Sequence, residues 1–109
     1  MKLFFLMVCL SAQLRAQSVA SWEQFSDSGK LAANGRPFNP KAFCCACRTF
    51  PIGTKLRITE IHNKLSVVVT VSDKINLRYS DRIDLSPLAY SQLNGLETGL
   101  SDVRVEVVK

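Results

Sequence analysis

The sequence predicts a mainly β protein, a small mixed barrel with one or two short helices. Three observations predict it. Segments of period-two alternation are separated by turn clusters rich in Gly, Pro, Asn and Ser. Only one stretch carries both a helix start and a helix stop. The length, 109 residues, leaves room for one domain. A generic five- or six-stranded Greek-key barrel fits the same pattern.

The first sixteen residues read as an export signal. Lys2 gives a positive start, Leu3 to Leu10 is an unbroken apolar run, and Ser11 to Ala16 is more polar and ends in a small residue. Cleavage is expected after Ala16, leaving a domain over 17–109. The apolar run is far short of the roughly 20 residues a spanning helix needs, and an uncleaved amphipathic anchor is the competing reading. Cys9 sits inside that run, the wrong setting for a lipid-acceptor cysteine. The processed chain is therefore expected to be periplasmic or secreted, monomeric and without a stable membrane anchor.

Hydrophobic content of 47% with 21% charged residues is globular, not disordered. The net charge of +5 falls to about +3 once Lys2 and Arg15 depart. That is too little for nucleic-acid binding by field alone, and it suits work beside an anionic glycan or membrane surface.

Val19-Ala20-Ser21-Trp22 opens the first strand, and Ser26 to Gly29 forms a turn. A second turn lies at Ala33-Asn34-Gly35-Arg36-Pro37, where Gly35 is free to take positive φ. Pro51-Ile52-Gly53 is a third. It leads into a half-buried strand over Thr54 to Glu60, with Leu56 and Ile58 on one face and Lys55, Arg57 and Thr59 on the other. His62-Asn63-Lys64 turns the chain into Ser66 to Ser72, whose more continuous apolar run marks a central strand. Ser86 caps the helix, Pro87 takes its first position, and Asn94-Gly95 ends it. Val103, Val105 and Val107 alternate through a closing strand.

Three cysteines follow the export signal, Cys44, Cys45 and Cys47, an odd number for an oxidising compartment. A Cys44–Cys45 bridge would be strained, and Cys45 and Cys47 share a strand face at the limit of bridging. Cys-Cys-x-Cys with His62 is not a zinc spacing, so neither metal nor cofactor is expected. The simplest reading has the thiols filling strand positions and His62 solvated in its turn.

The order of the pieces resembles the rare lipoprotein A (RlpA) family. Ser21-Trp22 comes early, then Ala33-Asn34-Gly35, then Pro51-x-Gly53-Thr54 entering a strand. Val67-Val68-Val69-x-Val71-x-Asp73 follows, then Arg82-Ile83-Asp84-Leu85-Ser86 entering the helix, and last the Val-x-Val strand. The resemblance implies a six-stranded double-psi β-barrel, a fold shared with expansin-like and barwin-like domains. It also implies an endolytic peptidoglycan lytic transglycosylase, a glycan lyase, with glycan strands as the partner. The family site gathers a Glu just after the Ala-Asn-Gly turn, a His before the Pro-x-Gly-Thr turn and an Asp ending the valine strand. Here those positions hold Arg36, Cys47 and Asp73, and the Arg-Gly-Pro that usually follows the Asp is Lys74-Ile75-Asn76.

Asp73 is thus the expected acid/base. Reaction with the sugar's own hydroxyl needs only one carboxyl group, which first protonates the leaving oxygen and then takes the hydroxyl proton. The alternative is a non-catalytic glycan-binding barrel in which Arg36 pairs with Asp73 and holds it ionised. Arg36 and Cys47 are expected in the substrate site by position. Asp81 and Arg82 line one end of it, and Trp22, Phe38 and Tyr79 offer flat faces for sugar rings. Asp84 is expected to fix the strand-to-helix corner or to pair with Arg82.

Overall fold

The computed structural model describes residues 15–24 and 27–109. Most of the expected export signal, and Ser26 of the first expected turn, lie outside the described residues. Six strands form a closed barrel: β1 (Arg15–Trp22), β2 (Cys44–Ala46), β3 (Lys55–Glu60), β4 (Ser66–Asp73), β5 (Arg82–Leu85) and β6 (Ser101–Val107). Among the described residues one helix, α1 (Pro87–Ser91), and two 3₁₀ turns, Leu77–Tyr79 and Leu96–Thr98, accompany it. The order around the barrel is β1-β5-β2-β4-β3-β6. β1 runs parallel to β5 and β2 parallel to β4, and the other four pairings are antiparallel. This is the double-psi β-barrel the resemblance implied.

The interior follows from side-chain alternation. Leu56 and Ile58 of β3, Val67, Val69 and Val71 of β4, Ile83 and Leu85 of β5, and Val103 and Val105 of β6 all point inward and are buried. Each contributes about 1.5–3 kcal/mol by leaving water. β4 is less continuously apolar in use than in sequence. Val68 faces solvent at 40% exposure, so the strand alternates like its neighbours. α1 plugs one end of the barrel with Ala89 and Tyr90, helped by Leu93 just beyond it. The Tyr90 hydroxyl lies 2.6 Å from Thr98 Oγ1 and 2.9 Å from Ser101 Oγ, which satisfies its buried polar atom.

Ser86 caps α1 by accepting from the Ala89 N–H, with Pro87 in the first turn. The helix stops at Ser91, before Asn94-Gly95, where the Gln92 and Leu93 N–H groups bond the carbonyls three residues back, at Ala89 and Tyr90, and tighten the last turn. β1 begins at Arg15, four residues before the expected start, because its first half pairs with β6 from Arg15↔Glu106 to Ala20↔Ser101. Cleavage after Ala16 would leave the pairs from Gln17↔Arg104 onward in place. Among the described residues no helix is long and apolar enough to cross a membrane.

Candidate functional site

The parallel pairings bring distant residues into one row. Across β1, β5, β2 and β4 the register reads Ser21↔Asp84, Asp84↔Ala46, Ala46↔Asp73. Asp84 and Asp73 are therefore two strands apart, roughly 10 Å at the backbone, with a methyl group between them. This row lines a groove of about 540 Å³ that also takes in Trp22, Glu23, Phe38, Tyr79 and Arg82.

Asp73 reaches the row through an irregularity. Strict alternation from Val67, Val69 and Val71 would point it into the barrel. The β2–β4 register shifts between Cys45↔Val71 and Ala46↔Asp73, leaving Ser72 as the extra residue and turning Asp73 toward the groove. The Ala33-Asn34-Gly35 turn secures that bulge. The Asn34 N–H donates to the Ser72 carbonyl at 3.1 Å, and the Ala33 N–H donates to Asp73 Oδ1 at 3.0 Å. The Lys74 N–H donates to the same oxygen at 2.8 Å. Gly35 holds φ at +83°, a region closed to most side chains. The Gly53 N–H, also at positive φ, bonds the Val71 carbonyl from the other side.

Asp84 is half-buried and accepts from Ser21 Oγ at 2.9 Å. Burial pushes its carboxyl above the ordinary range, against the pull of the Ser21 hydroxyl. It makes no ion pair with Arg82 among the described residues. The Arg82 guanidinium instead lies 4.7 Å above the Tyr79 ring. Trp22 packs against the core and donates Nε1–H to the Leu96 carbonyl at 3.0 Å, presenting part of its ring to the groove.

Three expected site residues lie elsewhere. Arg36 lines a separate depression with Asn34, Cys44 and Ser72, and it makes no ion pair with Asp73 among the described residues. Cys47 is 1% exposed in the core. Only its backbone approaches Asp73, donating N–H to that residue's carbonyl at 3.0 Å. Asp81 is exposed beside β1, where its carbonyl accepts from Ser18 Oγ. All three thiols are unbridged, and burial pushes those of Cys44 and Cys45 up, away from thiolate chemistry at neutral pH. Among the described residues no group of three or more His, Cys, Asp or Glu is placed to hold a metal ion.

An acidic residue of the groove that sequence reasoning passed over stands at its rim. Glu23 directly follows β1, where its N–H donates to the Leu85 carbonyl at 2.7 Å. Its carboxyl is raised to about 8, first by burial and then by the negative charges of Asp84, Asp73 and Asp27. The only sequence signal is an acid placed just after the aromatic residue that ends a strand.

Against known families, residues 15–105 match the family model described as lytic transglycolase. The chain belongs to the RlpA-like lytic transglycosylase family. A probable endolytic peptidoglycan transglycosylase RlpA from Nostoc sp. is 36% identical over 103 residues, covering 93% of this chain and 28% of that protein. The endolytic peptidoglycan transglycosylase RlpA of Campylobacter jejuni is 36% identical over 93 residues, covering 85% and 34%. The chain thus spans about a third of the length of these RlpA relatives. Among solved structures, the Streptomyces papain inhibitor aligns with a TM-score of 0.70 at 21% identity, over 87% of this chain and 94% of that one. A Clavibacter michiganensis expansin in complex with cellohexaose aligns at 0.68 and 17%, over 87% and 50%. At these identities the likeness concerns the RlpA-like fold.

Proposed function

We propose that the groove cleaves peptidoglycan glycan strands by lytic transglycosylation, with Asp73 as a reacting carboxylate. The observation that carries this reading is the row Ser21–Asp84–Ala46–Asp73 in an open groove of an RlpA-like chain. A glycan strand needs an extended trough with carboxyl chemistry near its middle, and Ala46 leaves room for a sugar above the sheet. The sugar's 6-hydroxyl attacks its own anomeric carbon, the glycosidic bond after N-acetylmuramic acid breaks, and a 1,6-anhydro ring forms without added water. A carboxyl group of the groove protonates the leaving glycosidic oxygen as that bond breaks, and Asp73, held by two backbone N–H groups, receives the hydroxyl proton. Tyr79, Arg82 and the exposed part of Trp22 line the groove and are assigned to sugar contacts. The complex of the expansin neighbour with cellohexaose supports a glycan as occupant.

On this reading residues 1–16 direct export, and the processed domain works as a monomer in the periplasm or outside the cell. The signal-like residue pattern and the peptidoglycan activity named for the relatives support that location. A second reading, a non-catalytic glycan-binding barrel, is favoured by Arg36 and Cys47, which replace the family Glu and His and lie outside the groove.

Mass spectrometry of peptide-stripped glycan strands, after incubation with the domain and with Asp73→Asn, separates the two. Products ending in 1,6-anhydro-N-acetylmuramic acid, reduced at least about 100-fold in the variant, are expected. Intact strands that still co-sediment with the protein would leave binding alone.

A further inference from the structure

We propose that Glu23 is the proton donor of the reaction, standing in for the family Glu that this chain lacks at Arg36. The inference rests on the transglycosylase reading of the groove and adds a division of labour between two carboxyl groups.

Its first support is position. The backbone of Glu23 is fixed by the Leu85 carbonyl, one residue beyond the Trp22↔Leu85 pair, so its Cα is held at the rim of the Ser21–Asp84–Ala46–Asp73 row. It lines the same groove as Asp73. Its second support is its surroundings. From β5 it meets the charge of Asp84, from the end of β4 that of Asp73, and from its own loop that of Asp27. The cations lining the groove are directed elsewhere. Lys30 pairs with Asp27 at 3.3 Å, Arg82 lies over the Tyr79 ring, and Lys74 is exposed to solvent. Tyr79 is the remaining titratable group of the lining. Among the described residues Glu23 forms no ion pair and no side-chain hydrogen bond. Burial and like charges therefore keep it protonated through neutral pH, the state a proton donor requires.

The step balances. Glu23 gives its proton to the oxygen leaving the anomeric carbon as that bond breaks. The 6-hydroxyl oxygen bonds the same carbon, and its proton passes to Asp73. Afterwards Asp73 is protonated and Glu23 ionised, and proton exchange through solvent restores both. No water is consumed and nothing is oxidised.

The test compares wild type, Glu23→Gln, Glu23→Asp and Asp73→Asn on two substrates between about pH 5 and 9. One is the peptide-stripped strand, and the other is a muramyl glycoside bearing a dinitrophenyl leaving group, which departs without a proton. On strands, Glu23→Gln should lose about 100-fold or more while still co-sedimenting. Glu23→Asp should retain part of the rate with its alkaline limb displaced. On the activated glycoside Glu23→Gln should recover to within about tenfold of wild type, whereas Asp73→Asn should not. A Glu23→Gln rate on strands within about threefold of wild type, with Asp73→Asn inactive, overturns the assignment and leaves the transglycosylase standing. Equal losses of Glu23→Gln on both substrates also overturn it, by making the residue structural. No anhydro product from wild type sinks the transglycosylase reading itself, and this assignment with it.

Discussion

Two glutamates sit at strand ends in this barrel, and their surroundings drive them in opposite directions. Glu60 closes β3 and is 3% exposed, yet its carboxyl is lowered to about 2. The His62 N–H leads that effect, the Asn63 N–H follows, and the His62 ring, 2.8 Å away, adds to it. Glu23, just past β1, is raised to about 8 because burial and three carboxylates act on it, with no donor among the described residues to offset them. Donors, more than depth, decide whether a carboxylate drawn away from water keeps its charge. The barrel spends Glu60 on holding a hairpin and leaves Glu23 poised for chemistry.

The sharpest way to break this contrast is the pH dependence of stability. The folded state holds the Glu23 proton more tightly than the unfolded chain does. Its contribution is therefore fully present below about pH 4.5 and lost as pH rises toward 8. Glu23→Gln should remove that decline and leave the variant more stable than wild type at pH 9. The gain should be on the order of 2 kcal/mol, because solvent at the groove screens part of the full shift. Urea denaturation at pH 5 and pH 9 measures it, and parallel pH profiles for both proteins would refute the charge cluster.

Glu60 carries the opposite sign. Its folded carboxyl titrates below the unfolded one, so its contribution is present above about pH 4.5 and disappears as pH falls toward 2. Glu60→Gln should be less stable than wild type at neutral pH, with the difference closing across that acid window. A constant difference down to pH 2 would mean that Glu60 packs and does not pair.

The smallest effect lies in the same hairpin. Lys64 holds φ at +65°, a left-handed conformation that glycine adopts more readily. Lys64→Gly should stabilise the fold by about 0.5–1 kcal/mol, read as a rise in thermal midpoint without change in glycan cleavage.

Much of the fold was legible because it is local. Alternation marked β3 and β6, Ser86-Pro87 marked the helix start, and Gly35 and Gly53 marked turns that take positive φ. The lining of the groove was partly legible. Asp73, named from the family pattern, and Trp22 and Arg82 do line it. Arg36, Cys47 and Asp81 were assigned by position along the chain, and position does not tell which face a side chain takes. Glu23 was missed because its neighbours arrive through the parallel pairing of β1 with β5, residues some sixty positions away, as in Val19↔Arg82. Non-local pairing of that kind leaves no periodic trace in a single sequence.

The extra residue at Ser72 has a consequence for how this site can change. A strand side chain's destination depends on whether its count from a fixed point is odd or even. Asp73 looks outward because the bulge takes Ser72 out of that count, not because any particular side chain was chosen. Removing Ser72 would set Asp73 directly after the inward Val71 and leave the carboxylate outward, whereas a strand that kept Ser72 in regular register would turn it into the barrel. The groove's reactivity is thus written partly in arithmetic, in where the strand skips a count.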